Sequence, residues 1–223
     1  MSAHPVLSIG NKNYSSWSMR PWLALRWGKI AFETNVIPLG PRGQGPNPDI
    51  AAVSPTGTVP VLRLANGEVI WDTLSICEWA AEQAPTAHLW PKDSTARALA
   101  RSAVAEMHSG FAPLRQNMPM NIRRRKSGHI VPEPVAANIA RIDALLSGLR
   151  ARFDTAGTGW LFGHPTIADA FFAPVATRFR TYGASVSPAT QAWCDTLFAD
   201  PDFQDWERDA LAETWTIAET EAA

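Results

Sequence analysis

Residues 14–25, Tyr14-Ser15-Ser16-Trp17-Ser18-Met19-Arg20-Pro21-Trp22-Leu23-Ala24-Leu25, determine how the first part of the chain is interpreted. They follow the apolar run Val6–Ile9, which is typical of a buried strand. After the small polar residues, apolar side chains recur at helical spacing from Met19 to Trp27. The stretch therefore predicts a strand that enters a helix through a serine-rich turn.

The start of such a helix has a chemistry of its own. It offers backbone N–H groups without intrahelical partners and a partial positive charge. These features bind anions and favour a thiolate over a thiol. Ser15, Ser16 and Ser18 add hydroxyl groups that can either cap the helix or donate to a ligand. Capping is the commoner role, and this stretch alone leaves both open.

Composition limits the class of protein. The 223 residues carry a formal net charge of −1, with 46% hydrophobic and 18% charged residues, as in ordinary soluble globular proteins. This balance gives no general attraction to nucleic acid or to an anionic membrane, so neither is an expected partner. No apolar run approaches the roughly 20 residues of a membrane span, and residues 1–5 lack the features of a signal peptide. We expect a cytoplasmic protein.

The two cysteines, Cys77 and Cys194, lie far apart in mostly apolar segments with helical character. They form no CxxC pair, so the sequence predicts neither a disulfide framework nor a zinc site. We expect both thiols to be buried and inert, and we expect no metal cofactor.

Residues 1–84 alternate strand and helix. A second strand over 32–39 is expected to run parallel to the first, because a helix joins them. A loop over 40–48, a short helix over 48–53, and two strands around Asn66-Gly67 follow, and Asn-Gly is a strong hairpin signal. A helix over Thr73–Gln83 ends this part. Two parallel and two antiparallel strands in one mixed sheet give a thioredoxin-like plan.

Pro60 lies at the start of an apolar strand, where proline removes a hydrogen bond from the strand ladder. Two conformations of the chain accommodate it. A cis Val59–Pro60 bond would turn the backbone and expose the polar groups of Val59 to a ligand. A trans proline on an edge strand is the default, because only about 5–6% of X–Pro bonds in folded proteins are cis.

The stretch from Pro85 to Pro91 breaks the pattern, so residues 85–93 predict a linker, and nothing in residues 94–223 is typical of a strand. One helix is expected from 94 to about 116, another from 133, and two more over 188–199 and 202–219. Thr166 and Asp169 have the spacing of a capping box at the start of a further apolar helix. The second domain is therefore expected to be all-helical.

This order of domains resembles the cytosolic glutathione S-transferases, and the resemblance covers essentially the whole chain. Residues 15–20, Ser-Ser-Trp-Ser-Met-Arg, are similar to the serine-type motif of the zeta and tau classes. Those classes read Ser-Ser-Cys-Ser or Ser-Pro-Phe-Ser before a similar helix. Trp17 replaces the zeta cysteine. The chain is identified as a serine-type, bacterial-type member of the family.

Three further motifs support the resemblance. Residues 58–60, Thr-Val-Pro, match the family's cis-proline turn, although Thr58 stands where a lysine is common. Asp72-Thr73 occupies the place of the family's Glu-Ser or Gln-Ser at the start of the third helix. Residues 166–169 match the capping box at the core of the helical domain.

The resemblance implies a catalytic role for Ser15, whose hydroxyl would donate a hydrogen bond to the sulfur of glutathione. Ser16 and Trp17 would lie beside the bound tripeptide. Free thiols titrate near 8.5, so only a few per cent is thiolate at neutral pH. A hydroxyl donor and the helix start both stabilise the thiolate, and glutathione supplies the nucleophile as a co-substrate.

The resemblance also implies how the rest of glutathione is bound. The backbone of Val59, next to a cis Pro60, would pair with the cysteinyl part of the tripeptide. The carboxylate of Asp72 would face the ligand ammonium group. Thr73 and the helix start would hold the ligand carboxylate.

The electrophile is expected between the two domains, where pockets often lie. Its predicted walls are Trp17 and residues of the first long helix of the second domain: His108, Phe111, Arg115 and Met118. Their spacing fits a core-facing stripe equally well, and both interpretations remain open. Such an aromatic, methionine-containing surface would accept many hydrophobic electrophiles.

Three functions fit these residues. The first is glutathione conjugation in detoxification, with glutathione-dependent peroxide reduction as an additional activity. The second is a zeta-like cis–trans isomerase of the maleylacetoacetate type, against which Trp17 counts. The third is a non-catalytic ligand- or protein-binding module, against which the presence of Ser15, Pro60, Asp72 and Thr73 counts. The resemblance further implies a homodimer.

Overall fold

A computed structural model of the protein describes residues 4–41, 45–126 and 128–222. Residues 1–3 and 42–44 lie outside these ranges, although the expectations of no signal peptide and of a loop over 40–48 rest partly on them.

Four strands form one mixed sheet in the order β2-β1-β3-β4. The strands are β1 Val6–Ile9, β2 Glu33–Val36, β3 Val61–Arg63 and β4 Val69–Trp71. β1 runs parallel to β2 and antiparallel to β3, which pairs with the antiparallel β4. The predicted mixed sheet is confirmed. The predicted second strand was too long, because Pro38 has no N–H with which to continue the ladder after the Ile37 N–H bonds to Ile9.

Ten α-helices surround or follow this sheet in the described part of the chain. Those of the first half are α1 Ser16–Trp27, α2 Pro48–Ala51 and α3 Thr73–Gln83. Those of the second half are α4 Ser94–Ser109, α5 Ala112–Asn117, α6 Glu133–Phe153, α7 Ile167–Tyr182, α8 Pro188–Ala199, α9 Pro201–Ala212 and α10 Ala218–Ala222. A short 3-10 turn, Pro85–Ala87, lies between α3 and α4. The predicted fold class is confirmed, while the domain boundaries remain a prediction.

The prediction of one helix from 94 to about 116 was wrong. α4 ends at Ser109, and α5 begins at Ala112. Gly110 turns away from helical geometry, and a Cβ on it would lie 2.6 Å from the carbonyl oxygen of Glu106. Phe111 then adopts a left-handed conformation with φ of 58°. The break changes the direction in which the side chains after it point.

The prediction of one helix over 202–219 was also wrong, since α9 ends at Ala212 and α10 is separate. Glu213 is extended, and its carboxylate accepts the backbone N–H groups of Lys12 and Asn13 at 2.6 and 3.0 Å. These bonds hold the end of α9 against the loop before α1.

α7 is the central helix of the second half, with nearly every side chain buried. Its predicted capping box is confirmed: the Thr166 N–H and hydroxyl donate to Asp169 at 2.9 and 2.7 Å. Asp169 also accepts from the Trp193 indole at 2.9 Å and from the Leu161 N–H at 3.1 Å. The box therefore ties α7 to α8 as well as starting the helix.

α1 joins the two halves of the chain, because it packs against α3, α7 and α9. The Arg20 Nε donates to the carbonyl of Phe171 in α7 at 3.1 Å. The Asn13 side chain donates to Asn121 at 3.1 Å, just before α1 begins. The serine-rich turn therefore lies at the junction of the sheet domain and the helices.

Candidate active site

Ser15 is the N-cap residue of α1, but its hydroxyl makes no capping bond. Its Oγ lies 2.7 Å from the Oγ of Ser18, which accepts the Gly10 N–H at 3.1 Å. When Ser18 donates its own proton to Ser15, the Ser15 proton is left for a ligand. Of the two roles that the sequence left open, capping does not apply to the Ser15 side chain.

A cavity of about 600 Å³ opens beside this hydroxyl. Five of the residues predicted for the site line it: Ser15, Ser16, Trp17, Val59 and Arg115. The cavity lies between the start of α1, the segment before β3 and the helices of the second half. It therefore brings together part of the predicted glutathione site and part of the predicted electrophile site.

The Val59–Pro60 bond is cis, so the predicted isomer is confirmed. Val59 is partly exposed and lines the cavity, whereas Pro60 is buried behind it. Thr58 lines the cavity too, and its N–H donates to the Ser54 hydroxyl at 3.2 Å. The pairing of the Val59 backbone with a ligand stays a prediction.

Asp72 does not line this cavity but lies at the N-cap of α3, where its carboxylate accepts the Leu74 N–H at 2.8 Å. Its φ of 70° is left-handed, a conformation that aspartate tolerates better than most residues. Its Oδ2 lies 3.6 Å from Nε2 of His108, whose ring centroid is 5.2 Å from that of Trp17. Asp72 is thus connected to the cavity wall through His108.

Thr73 has a structural contact that sequence reasoning did not foresee. Its hydroxyl donates to the Trp17 carbonyl at 3.0 Å. Pro21 has no N–H for the carbonyl four residues earlier in α1, so the Trp17 oxygen lacks its helical donor. Thr73 supplies that donor and binds the start of α3 to the start of α1.

The predicted pocket residues of α4 and its continuation divide into two groups. Arg115 lines the cavity and His108 borders it, whereas Phe111 and Met118 are buried in the core. The break after Ser109 explains this, because one continuous helix would have placed all four on one face. The core interpretation therefore holds for Phe111 and Met118.

Sequence reasoning missed several residues of the cavity wall. They include Tyr14, Leu39, Ile50, Met120, Arg178 and Thr220. Most are apolar or distant in sequence and carry no local signal. The exception is Arg178, a charged residue inside an apolar helix, which is unusual enough to have marked it.

Tyr14 offers a second hydroxyl on the cavity wall, but it is already engaged. It donates to the Glu221 carboxylate and accepts from Arg123 at 2.7 Å. Burial and the hydrogen bond to Glu221 raise the pKa of the Tyr14 phenol. Ser15 is therefore the better placed donor for a ligand sulfur.

Three guanidinium groups converge near Trp17. The Cζ atoms of Arg20 and Arg115 lie 4.1 and 5.4 Å from its ring centroid, and Arg178 Nη2 is 3.4 Å from the Ser16 hydroxyl. Burial lowers the pKa of Arg115, and burial together with the charge of Arg115 lowers that of Arg178 to about 10. Both groups stay protonated at neutral pH.

Other features of the described residues bear on cofactors and membranes. Over 4–41, 45–126 and 128–222, no group of three His, Cys, Asp or Glu side chains is arranged to hold a metal ion. No helix in the same ranges has the length and apolar character needed to cross a membrane. Cys77 and Cys194 are buried, as predicted.

Comparison with known proteins identifies the family. Residues 14–83 match the model of the glutathione S-transferase N-terminal domain, and residues 132–196 match that of the C-terminal domain. Together the two models cover more than half of the chain, which therefore belongs to the glutathione S-transferase family. The predictions of the family and of a glutathione-dependent enzyme are confirmed.

Individual relatives agree with this assignment. The chain is 26% identical over 207 residues to maleylacetoacetate isomerase of Pseudomonas aeruginosa, covering 86% of this chain and 91% of that protein. Among solved structures, it is similar to a Burkholderia glutathione transferase homologue with bound glutathione (TM-score 0.70, 22% identity, 94% and 100% coverage). It is also similar to a tau-class glutathione S-transferase from mango (TM-score 0.69, 17% identity, 95% and 97% coverage).

Proposed function

We propose that the protein is a glutathione transferase in which the Ser15 hydroxyl keeps the sulfur of bound glutathione ionised for attack on an electrophile. The observation that carries the proposal is the position of Ser15: it occupies the N-cap of α1, makes no capping bond and lines the cavity that also contains Val59. The hydroxyl and the helix start both favour a thiolate, and Ser15 itself need not ionise.

The remainder of glutathione extends from Ser15 towards α3 in this proposal. The Val59 backbone pairs with the cysteinyl unit, and the Asp72 carboxylate faces the ammonium group. Because the Thr73 hydroxyl already donates to the Trp17 carbonyl, the N–H groups at the start of α3 hold the γ-glutamyl carboxylate instead. Glutathione bound in the Burkholderia homologue supports the choice of co-substrate.

The test is retention on immobilised glutathione, followed by assays with an aryl halide, a hydroperoxide and maleylacetone. We expect retention and consumption of glutathione with the aryl halide, and slower conjugation by Ser15→Ala. Turnover of the hydroperoxide would add the peroxidase activity. Retention without any turnover would contradict the proposal and leave a binding module.

A second candidate is a glutathione-dependent isomerase, which the Pseudomonas aeruginosa relative favours by its name and by its coverage of most of this chain. Trp17 stands where the zeta motif has a cysteine, and for this reason conjugation comes first. The stoichiometry separates the two functions. Isomerisation of maleylacetone leaves the glutathione concentration unchanged, whereas conjugation consumes one glutathione per product.

The family also suggests a homodimer in the cytoplasm. The molar mass from light scattering tests the first part, with twice the 24.3 kDa of the chain as the expected result. A mass equal to one chain would exclude a stable dimer. Fractionation of the source cells tests the second part.

A further inference from the structure

We infer that the cavity beside Ser15 selects electrophiles that carry a negatively charged group such as a carboxylate, and that Arg115 and Arg178 bind that group. This inference rests on the proposed function, because it assigns the class of the second substrate at the same site. It narrows the hydrophobic electrophiles expected from the sequence to a charged subset.

The charge of the cavity wall is the first observation. Arg115 and Arg178 line the cavity, and none of its described lining residues is an aspartate or glutamate. Elsewhere in the protein arginines form ion pairs with carboxylates: Arg26 with Asp202 at 2.7 Å, and Arg141 with Glu106 at 2.7 Å. The chain has 20 basic and 21 acidic side chains, so carboxylates are not scarce. Those nearby stand behind the wall rather than in it: Glu221 accepts from the Tyr14 hydroxyl, and Asp72 faces His108.

The hydrogen bonds of Arg178 supply the second observation. The residue is 3% exposed, and its Nε and Nη1 donate to the carbonyls of Met118 and Pro174 at 2.8 and 3.0 Å. Its Nη2 reaches only the Ser16 hydroxyl, at 3.4 Å. A guanidinium has five N–H donors, so this one is fixed by two carbonyls and keeps donors for a ligand near Ser16.

Arg115 has still fewer partners. Among the described residues its guanidinium donates one hydrogen bond, to the His108 carbonyl at 3.3 Å, and forms no ion pair. Behind Trp17, Arg20 is fully buried, and its two terminal nitrogens have no hydrogen-bond partner among the described atoms. Arg20 and Arg178 are buried whereas Arg115 is partly exposed, and like charges held away from water are unfavourable unless an anion joins them. An anionic ligand would therefore be bound at the side of the cluster that the cavity reaches.

The glutathione thiolate is also an anion, and the arginines could act on it instead. A pair of electrophiles of similar shape, one anionic and one neutral, distinguishes the two roles, since both meet the same nucleophile. Chlorodinitrobenzoate and chlorodinitrobenzamide form such a pair. In each, the thiolate forms a C–S bond at the carbon that carries chlorine, and chloride leaves with the electrons of the C–Cl bond.

The experiment measures kcat/KM for both electrophiles with saturating glutathione, each divided by its uncatalysed rate constant. A hydrogen-bonded ion pair predicts a preference for the benzoate of about 10- to 100-fold. Arg115→Gln should reduce this preference about tenfold or more while changing the rate with the benzamide much less. Arg152→Gln is the matched control, because it removes an equal charge from an exposed site on α6 outside the cavity wall.

Arg178 is buried, so its replacement risks misfolding. Arg178→Lys keeps the charge and should lose part of the preference for the benzoate.

Binding of the two product conjugates, measured by calorimetry, gives a readout that needs no turnover. Tighter binding of the carboxylate conjugate without turnover would support the anion site and contradict the proposed transferase. Equal turnover of both electrophiles, or equal binding or no binding of both conjugates, would overturn the inference. An equal decrease in kcat/KM for both electrophiles in Arg115→Gln would also overturn the inference, because it would show that the arginines act on the glutathione thiolate.

Discussion

Replacement of Ser15 by alanine should raise the pKa of the bound glutathione thiol by about 1 to 2 units. Ser15 is 7% exposed and its hydroxyl is not committed to capping α1, so the hydroxyl is available to a sulfur in the cavity. A hydrogen bond to a charged group contributes about 1.5–3 kcal/mol, and one pKa unit corresponds to about 1.36 kcal/mol. The start of α1 remains in the variant, so the pKa stays below that of free glutathione.

In Ser15→Ala the rate of conjugation should fall less than the fraction of bound glutathione that is ionised. A thiolate of higher pKa is a better nucleophile, with a Brønsted coefficient of about 0.4–0.5. Below both pKa values, kcat/KM of Ser15→Ala should therefore drop only about 3- to 16-fold. Above the pKa of the variant, its thiolate should react about 2.5- to 10-fold faster than that of the wild type. The two pH–rate profiles are expected to cross.

Ultraviolet absorbance of the thiolate, titrated in the glutathione complex, measures the pKa directly, and the pH dependence of kcat/KM tests the crossing. Ser15→Thr keeps a hydroxyl and serves as the control, with a pKa near that of the wild type. General structural damage would lower the rate at every pH without a crossing. An unmoved thiol pKa in Ser15→Ala would refute the role given to Ser15.

Three further predictions concern the framework and the thiols. Thr73→Val should lower the free energy of unfolding, measured by urea denaturation, by about 1–3 kcal/mol. Pro21→Ala should reduce that loss, because the alanine would supply an N–H to the Trp17 carbonyl. Additive effects of the two substitutions would contradict this coupling. Asp169→Asn should lower the free energy of unfolding by about 3 kcal/mol or more, because an amide cannot accept all the hydrogen bonds that the carboxylate accepts. A smaller decrease would show that this network contributes little to stability. Burial raises the pKa of the Cys77 thiol strongly and that of the Cys194 thiol to about 12. A chromogenic disulfide reagent should therefore label neither cysteine in the native protein and both cysteines in denaturant. Labelling of the native protein would contradict this by showing that a thiol is accessible.

Local signals in the sequence predicted most of the secondary structure. The Asn-Gly pair between apolar runs gave the β3–β4 hairpin, and the Thr166–Asp169 spacing gave the start of α7. These signals work because a turn or a cap is decided by residues within four positions of one another. The break after Ala212 was missed because it involves bonds from the Glu213 carboxylate to Lys12 and Asn13, about 200 positions earlier. The break at Gly110 was also missed, although the close approach there is to Glu106 in the same helix.

The site was predictable only in part, for the same reason. Ser15 and Val59 lie in short motifs with recognisable neighbours, and both line the cavity. Arg178 reaches the same cavity from 162 positions after Ser16, and no local pattern connects the two residues. The sequence placed one arginine, Arg115, in a pocket expected to be mainly aromatic, whereas the second, Arg178, is brought there by the tertiary structure.

The orientation of the Ser15 hydroxyl likewise depends on both halves of the chain. Asn13, just before the turn, donates from its side chain to Asn121, and Arg20, one turn after it, donates to the Phe171 carbonyl. Both partners belong to the second half, so the serine motif is fixed at each end by residues more than 100 positions away. A chain with the same four-residue motif but without these anchors would hold the hydroxyl differently. The proposed thiolate site therefore depends on the junction between the domains, and changes at Asn121 should alter the pKa of the bound thiol without touching glutathione.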